Sequence, residues 1–326
     1  PRGRRGGSAL TDPAVSVLIV VGNQRERAAR ALESVLVQAG IERVEVVLLE
    51  CSRPPAEPLP GADNPVVRLV SRPDRGVFGA LRADAVRLAR APIVAFVEEH
   101  VEALPGWLEA IERAFADKAY AGVGGEVHQL NPGAGISDLV AAMNYVRWQP
   151  PARRREDADV IVGHNAAYRR ADLLAFGDDL DRLLGSEPVL QRELVKRGRR
   201  LLVDPAVRIA HRNEVGVRSI CRGYYLWNVS FGASWAATES WSTVRRAAQV
   251  LGIPWWIARR ITQMLREAHP DARRVLLRRL PALLAAQTAG AAGIAVGCTL
   301  GNRGHGHRFT DYEIDEPRGP AATSSR

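Results

Sequence analysis

The chain has 326 residues, 46% hydrophobic and 25% charged, with 45 Lys+Arg against 36 Asp+Glu and a formal net charge of +9. This composition excludes wholesale disorder, collagen-like repetition and a simple polybasic tail, and the length suits one large domain or two ordinary ones. All but two of the basic residues, Lys118 and Lys196, are arginine. Cys51, Cys221 and Cys298 lie far apart with no C-x-x-C, so neither a disulfide framework nor a zinc knuckle is indicated and a reducing compartment is expected.

Residues 1–12 (PRGRRGGSALTD) read as a flexible basic lead-in without the pattern of a secretory signal. Val15 to Val21 is a short β-branched apolar run, Gly22-Asn23 marks a turn, and Glu26 to Gln38 places Ala29, Leu32, Val35 and Leu36 at helical spacing. The alternation continues with strands over Val44–Leu49 and Val66–Val70, a helix over Phe78–Arg90 and a strand over Ile93–Val97. Continuous apolar strands between amphipathic helices predict an α/β, Rossmann-like fold, a mainly parallel sheet covered on both faces. In such sheets ligands bind beyond the C-terminal strand ends, here Gly22–Arg27, Glu50–Ser52 and Glu98–His100. No G-x-G-x-x-G follows the first strand and no G-x-x-x-x-G-K-[ST] occurs, which argues against a nicotinamide dehydrogenase or a P-loop enzyme.

The most informative segment is Phe96-Val-Glu98-Glu99-His100-Val-Glu102, followed by Pro105-Gly106-Trp107-Leu108. Three acids and an imidazole after a buried strand are costly unless a cation is bound. In an extended segment Glu98 and His100 share a side and could hold one divalent ion. Local residues alone leave a second reading open, an acidic strand end that caps the next helix.

Beyond residue 235 the charge separates from the rest. Between Val244 and Arg279 nine arginines face only Glu267 and Asp271, a net +7, interleaved with Ile253, Trp255, Trp256, Ile257, Leu265, Leu276 and Leu277. With no zinc-finger spacing, aromatic RNA-binding signature or basic-region heptad, this argues against nucleic acid as a partner. It fits helices at an anionic membrane surface, tryptophans at headgroup depth and guanidiniums on phosphates; a solvated helix pair packed on its own domain is the alternative. Leu280 to Asn302 carries no charge and is long enough to span about 30 Å of hydrocarbon. It is rich in alanine and glycine, so a re-entrant or interfacial helix, or one packed on a partner, is expected ahead of a lone anchor. Gly293-x-x-x-Gly297 would let two helices approach closely, and admits association between copies of the chain. The tail from Arg303 reads as polar and loose. The expected organisation is therefore a lead-in over 1–12, a catalytic domain over 13–235, basic and apolar helices over 236–301 and a polar tail over 302–326.

Ordered motifs from Pro13 to Trp235 resemble the family 2 inverting glycosyltransferases, which have the nucleotide-sugar-binding GT-A fold. They are Val15-Ser-Val-Leu-Ile19, Leu32-Glu-Ser-Val-Leu-Val-Gln38, Leu49-Glu50-Cys51-Ser52, Arg72-x-Asp74-Arg75-Gly76 with Gly79-Ala-Leu-Arg82, Phe96-Val-Glu98-Glu99-His100, Gly163-His-Asn165-Ala-Ala-Tyr168, Gly185-Ser-Glu187 and Val203-Asp-Pro205 through His211. The resemblance implies Glu187 as catalytic base, and Glu98, His100 and His211 as ligands of a divalent metal. It further implies Glu50, Glu99, Arg75 and Arg82 on the donor side, and His164, Asn165, Tyr168 and Arg212 around acceptor or sugar.

Three departures stand out. Asp-x-Asp is Glu-x-His, Glu-Asp is Ser-Glu, and the paired nucleobase acids are reduced to Glu50. Replacing one acid by His100 favours Mn²⁺ over Mg²⁺. The implied activity is transfer of a sugar, with inversion, from a nucleotide-sugar, expected to be a UDP-sugar, to a lipid-linked or membrane-proximal glycan acceptor in cell-envelope or polysaccharide assembly. The expected location is the cytoplasmic side of a membrane, with peripheral or re-entrant association. Two alternatives are a catalytically inactive GT-A scaffold in a membrane glycan complex and a nucleotidyltransferase; the second lacks its glycine-rich phosphate loop.

Overall fold

The computed structural model describes residues 12–133, 135–150 and 154–317. Of the lead-in expected over 1–12, all but Asp12 lies outside the described residues. The strands are β1 (Val15–Val21), β2 (Val44–Glu50), β3 (Val67–Ser71), β4 (Ile93–Phe96), β5 (Val101–Ala103), β6 (Tyr120–Gly124), β7 (Val127–Gln129), β8 (Glu156–Ala158), β9 (Ala167–Arg169), β10 (Arg200–Val203) and β11 (Ile209–His211). The helices are α1 (Arg25–Leu36), α2 (Phe78–Leu88), α3 (Trp107–Phe115), α4 (Ile136–Asn144), α5 (Arg170–Leu174), α6 (Leu180–Leu184), α7 (Glu187–Lys196), α8 (Val217–Thr238), α9 (Thr243–Leu251), α10 (Ile253–Glu267), α11 (Pro270–Arg278), α12 (Leu280–Leu300) and α13 (His305–Asp315).

Eight strands form one sheet in the order β3-β2-β1-β4-β9-β6-β10-β8. β1 pairs in parallel with β2 and β4, β2 with β3, and β6 with β10, while β9 and β8 run antiparallel to their neighbours. The mainly parallel α/β sheet expected from the alternation of strands and helices is therefore present. Along β1 side chains alternate between faces: Val15, Val17, Ile19 and Val21 join one buried core with residues of α1 and α3, and Leu18 and Val20 join a second with residues of α2, α6 and α7.

Register decides where the chemistry emerges. Val21 lies opposite Glu50 and Leu18 opposite Phe96, so the loops after β1, β2 and β4 leave the sheet side by side. A small sheet, β5-β11-β7, stands beside them. It pairs His211 with Val101, which brings β11 against the segment following His100.

The C-terminal helices pack back onto this body. α8 runs unbroken across the boundary expected at residue 235, and α12 lies along it. Added Cβ atoms on Gly293 and Gly297 would collide with the backbones at Tyr225 and Val229, so these glycines set how closely the two helices approach. The small-residue face anticipated in the sequence thus meets a helix of the same chain. α12 is long and apolar enough to cross a membrane by length and composition. α9 and α10 leave Val244, Leu251 and Trp255 exposed beside Arg245, Arg259 and Arg260. One expectation is corrected within the described residues: the first part of the tail from Arg303 is not loose, because residues 305–315 form α13 with Phe309, Tyr312 and Ile314 buried, while residues 318–326 lie outside the described residues. Those apolar side chains give an otherwise polar segment a face to bury.

A two-pronged ion pair holds α10 to the segment after α4. Arg147 donates through Nε to Glu267 at 2.8 Å and through Nη2 at 2.6 Å, and these bonds, with a third from Gln263, pull the Glu267 pKa from 4.5 to about 2. A carboxyl with a lower pKa folded than unfolded stabilises the fold above its unfolded value, and that contribution disappears as pH falls toward the folded value. The stability advantage of wild type over Glu267→Gln, followed by urea unfolding, should be full at pH 7, shrink below about pH 4.5 and vanish near pH 2. An advantage independent of pH would contradict this.

Candidate active site

β4 ends in a buried position and the chain turns at once, with the Val101 amide donating to the Glu98 carbonyl at 2.9 Å. Glu98 and His100 therefore converge through a turn rather than through extended alternation, and Glu98 Oε2 lies 3.0 Å from His100 Nε2. The small sheet adds His211, whose ring centroid is 4.8 Å from that of His100 and 4.6 Å from that of His164. His211 Nδ1 is 2.8 Å from Asn213 Oδ1, an acceptor, so in the neutral ring Nδ1 carries the hydrogen and Nε2 presents a lone pair. The Tyr145 hydroxyl lies 3.2 Å from that Nε2.

Two sets of side chains each bring three donor atoms within 4.8 Å of one another: Glu98, His164 and His211, and Glu98, His100 and Glu313. Bonds of about 2.0–2.2 Å put the ligands of one ion no more than about 4.4 Å apart, so either set closes on a divalent ion with small movements. Mixed carboxylate and imidazole donors suit a first-row transition ion. The expected trio of Glu98, His100 and His211 is thus divided between two sets that share Glu98. His164, expected on the acceptor side, joins one of them.

Glu187 opens α7 and pairs with Arg82. Its side chain passes so close to Gly163 that a Cβ there has no room. Arg82 is 3% exposed; it also donates to the Gly163 carbonyl at 3.1 Å and lies 4.4 Å over the Phe96 ring. Burial opposes its charge, but Glu187 and then Glu98 more than offset this and raise its pKa. Arg82 therefore links Glu187 electrostatically to Glu98. Phe78, Phe96, Arg82, Glu98, His100 and Glu313 help to line a cavity of about 10 Å³, room for about one water. That is ion-sized and far too small for a sugar.

Among the residues expected on the donor side, Glu99 is 1% exposed, accepts from the Gly22 amide at 2.9 Å and pairs with Arg27. Burial nevertheless pushes its pKa up to about 7 against the pull of Arg27 and Gly22. Glu50 accepts from Arg25 at 2.7 Å and from the Ser52 amide at 3.0 Å. Arg75 donates to the Cys51 carbonyl and to Asp315, one of whose oxygens lies 3.1 Å from Nη2. Burial works against the Arg75 charge, and Asp315 raises its pKa past that opposition. Arg212 is buried beside the His100 carbonyl, which accepts from its amide at 3.0 Å; burial first, then Arg30, lowers its pKa.

Two expected pocket residues are instead built into the frame. Asn165 Oδ1 accepts from Trp107 Nε1 at 3.0 Å, and its Nδ2 donates to the carbonyls of Glu126 and Val207. Tyr168 lies inside the sheet on β9 with its hydroxyl accepting from Gln191 at 2.8 Å. Their motif position is next to the site, but β9 alternation turns Tyr168 inward, and Asn165, in the turn before β9, is drawn in by its bonds to Trp107, Glu126 and Val207. Arg27, Glu313 and Asp315 were not anticipated. For α13 the signal was Gly306, Phe309 and Glu313 at helical spacing; for Arg27 there was only its position in the first turn of α1, next to the loop after β1.

Truncating Asn165 to Ala leaves a buried indole N–H and two carbonyls without their amide, at a cost of at least about 1–3 kcal/mol. Asn165→Ala should lose stability by that amount in denaturant unfolding, whereas Tyr168→Phe should leave the KM for donor and acceptor unchanged. A raised KM in Tyr168→Phe would return that side chain to the binding pocket.

Residues 16–175 match the family described as Glycosyl transferase family 2. None of the curated proteins matches the chain. Among solved structures it is similar to the mannosyltransferase PcManGT from Pyrobaculum calidifontis, in complex with GDP-Man and Mn²⁺, at 16% identity and a TM-score of 0.52 over 89% of this chain and 88% of that one. It is also similar to GalNAc-T7 with UDP, GalNAc and Mn²⁺, at 15% identity and a TM-score of 0.44 over 61% of this chain and 43% of that one. The fold is GT-A-like.

Proposed function

We propose that the chain is a metal-assisted glycosyltransferase that moves a sugar from a nucleoside diphosphate sugar to a hydroxyl acceptor with inversion at the anomeric carbon. The observation that carries this reading is the convergence of Glu98, three imidazoles and the Arg82–Glu187 pair at the C-terminal ends of parallel strands. The match over residues 16–175 supports the same reading.

Inverting transfer needs a base opposite the leaving group and a surface that holds the acceptor in line. Glu187 accepts the acceptor proton as the new C–O bond forms and the bond to the diphosphate breaks. Arg82 holds that carboxylate against Gly163 and fixes its direction. Glu98 and the surrounding His100, His164 and His211 would hold the divalent ion, Mn²⁺ ahead of Mg²⁺ for this donor set. When bound it neutralises charge on the departing diphosphate. Glu50, Glu99 and Arg75 organise the donor loop, and His164 and Arg212 face the acceptor side with Asn165 and Tyr168 as supports behind them. A UDP-sugar is the expected donor from the motif resemblance, and the GDP-Man of the similar mannosyltransferase names the comparison. Donor hydrolysis screened over UDP-, GDP- and dTDP-sugars with Mn²⁺ or Mg²⁺ should find one active pair. Glu187→Gln should lower that rate by about 10²–10⁴-fold. Silence with every donor and metal would favour a non-catalytic GT-A subunit.

We place the acceptor at a membrane, on the cytoplasmic side, as a lipid-linked or membrane-proximal glycan. Exposed Val244, Leu251 and Trp255 share helices with exposed arginines, and Arg259 lies 5.4 Å over the Trp255 ring, the arrangement of a surface that buries aromatics among anionic headgroups. The full chain should sediment with anionic liposomes and be released by high salt. Trp255→Ser with Arg259→Ser should weaken that binding several-fold, while binding equal to wild type would remove the membrane reading.

A further inference from the structure

Taken with only Glu98 and His100, a divalent ion would meet one negative charge. Glu313 supplies a second from more than two hundred residues away. It is 8% exposed, and its carboxylate lies with Glu98 and His100 so that the three donor atoms fall within 4.8 Å of one another. Two carboxylates brought together in buried surroundings repel, and a divalent cation held between them relieves that repulsion.

The position of Glu313 is fixed by backbone and neighbouring contacts. Arg27 donates to the Glu313 and Glu316 carbonyls, each at 2.8 Å, with its remaining bonds directed to Glu99. Asp315 accepts from the Asn23 amide at 3.0 Å and from Arg75, while the Gln24 amide group donates to its carbonyl at 2.7 Å. Thr310 donates to the Gly76 carbonyl at 3.2 Å, and Phe309 meets Phe78 edge to face with centroids 5.9 Å apart. A Cβ on Gly22 would run into Ile314. The last turn of α13 is therefore seated on the loops after β1 and β3, with one carboxylate turned inward to the cavity that Glu98 and His100 also line.

We propose that Glu313 is a ligand of the divalent cation and completes a carboxylate–imidazole–carboxylate set with Glu98 and His100. α13 is then part of the catalytic site. The inference rests on the metal-assisted reading above and commits it to one of the two donor sets. Two carboxylates balance a doubly charged ion, which the Glu98, His164 and His211 set does not.

The test is Mn²⁺ alone, titrated into the full chain without nucleotide and followed by the electron paramagnetic resonance signal of the free aquo ion, with circular dichroism to verify folding. Replacement of second-sphere partners weakens metal sites about 10–100-fold, so loss of a ligand should cost at least about tenfold. Glu313→Gln should bind at least tenfold more weakly than wild type, Glu313→Asp in between, Glu98→Gln not measurably, and the exposed neighbour Arg308→Gln like wild type. If Glu313→Gln and Glu313→Asp bind like wild type while Glu98→Gln and His164→Ala do not, the ion belongs to the histidine set and the assignment of Glu313 is overturned. If wild type itself does not bind Mn²⁺, the metal-assisted reading fails and this assignment with it.

Discussion

Acidic side chains gathered at the open ends of β1, β2 and β4 repel one another and lose hydration, and that electrostatic demand organises the site. Four acids meet it through arginine: Glu50 with Arg25, Glu99 with Arg27, Asp315 with Arg75 and Glu187 with Arg82. Glu98 and Glu313 are met instead by His100 within a donor set suited to a metal. Glu50, Glu99 and Asp315 thereby hold loops in place, Glu187 is steadied at the start of α7, and Glu98 and Glu313 stand near the cavity.

Arginine suits the first task where lysine would not, because its planar fork donates in several directions at once. Arg27 joins Glu99 to two carbonyls at the end of α13, and Arg75 joins the Cys51 carbonyl to Asp315. Each closes a loop after a strand onto a distant helix. Arginine thus serves in two settings among others: a handful of forks at the site, and the exposed rows of α9 to α11 that suit an anionic surface.

Much of this was legible from local pattern. β1 spans Val15–Val21 as its apolar run indicates, and β4 delivers Glu98 and His100 where strand-end logic puts them. Local pattern failed where tertiary packing decides. Asn165 and Tyr168 occupy motif positions beside the site, yet the antiparallel pairing of β9 and the demands of Trp107 and Gln191 draw them into the frame. α13 reads as tail because nothing in eleven residues reveals the surface on which Phe309, Tyr312 and Ile314 are buried. Helical spacing marks a helix there but not the distant surface it packs on, and the place of Glu313 was hidden for that reason.

The seating of Asp315 on Asn23, 292 positions earlier, has a consequence for the order in which the molecule becomes complete. Contacts of such separation close late, since loop entropy must be overcome before they return anything. During synthesis the sheet and its first loops can form while the later residues are still to be made. The arginine-rich helices precede α13 in the chain and are available to a surface first. Docking of α13 then finishes the cavity, so the lining that Glu313 supplies is the last part of it to arrive.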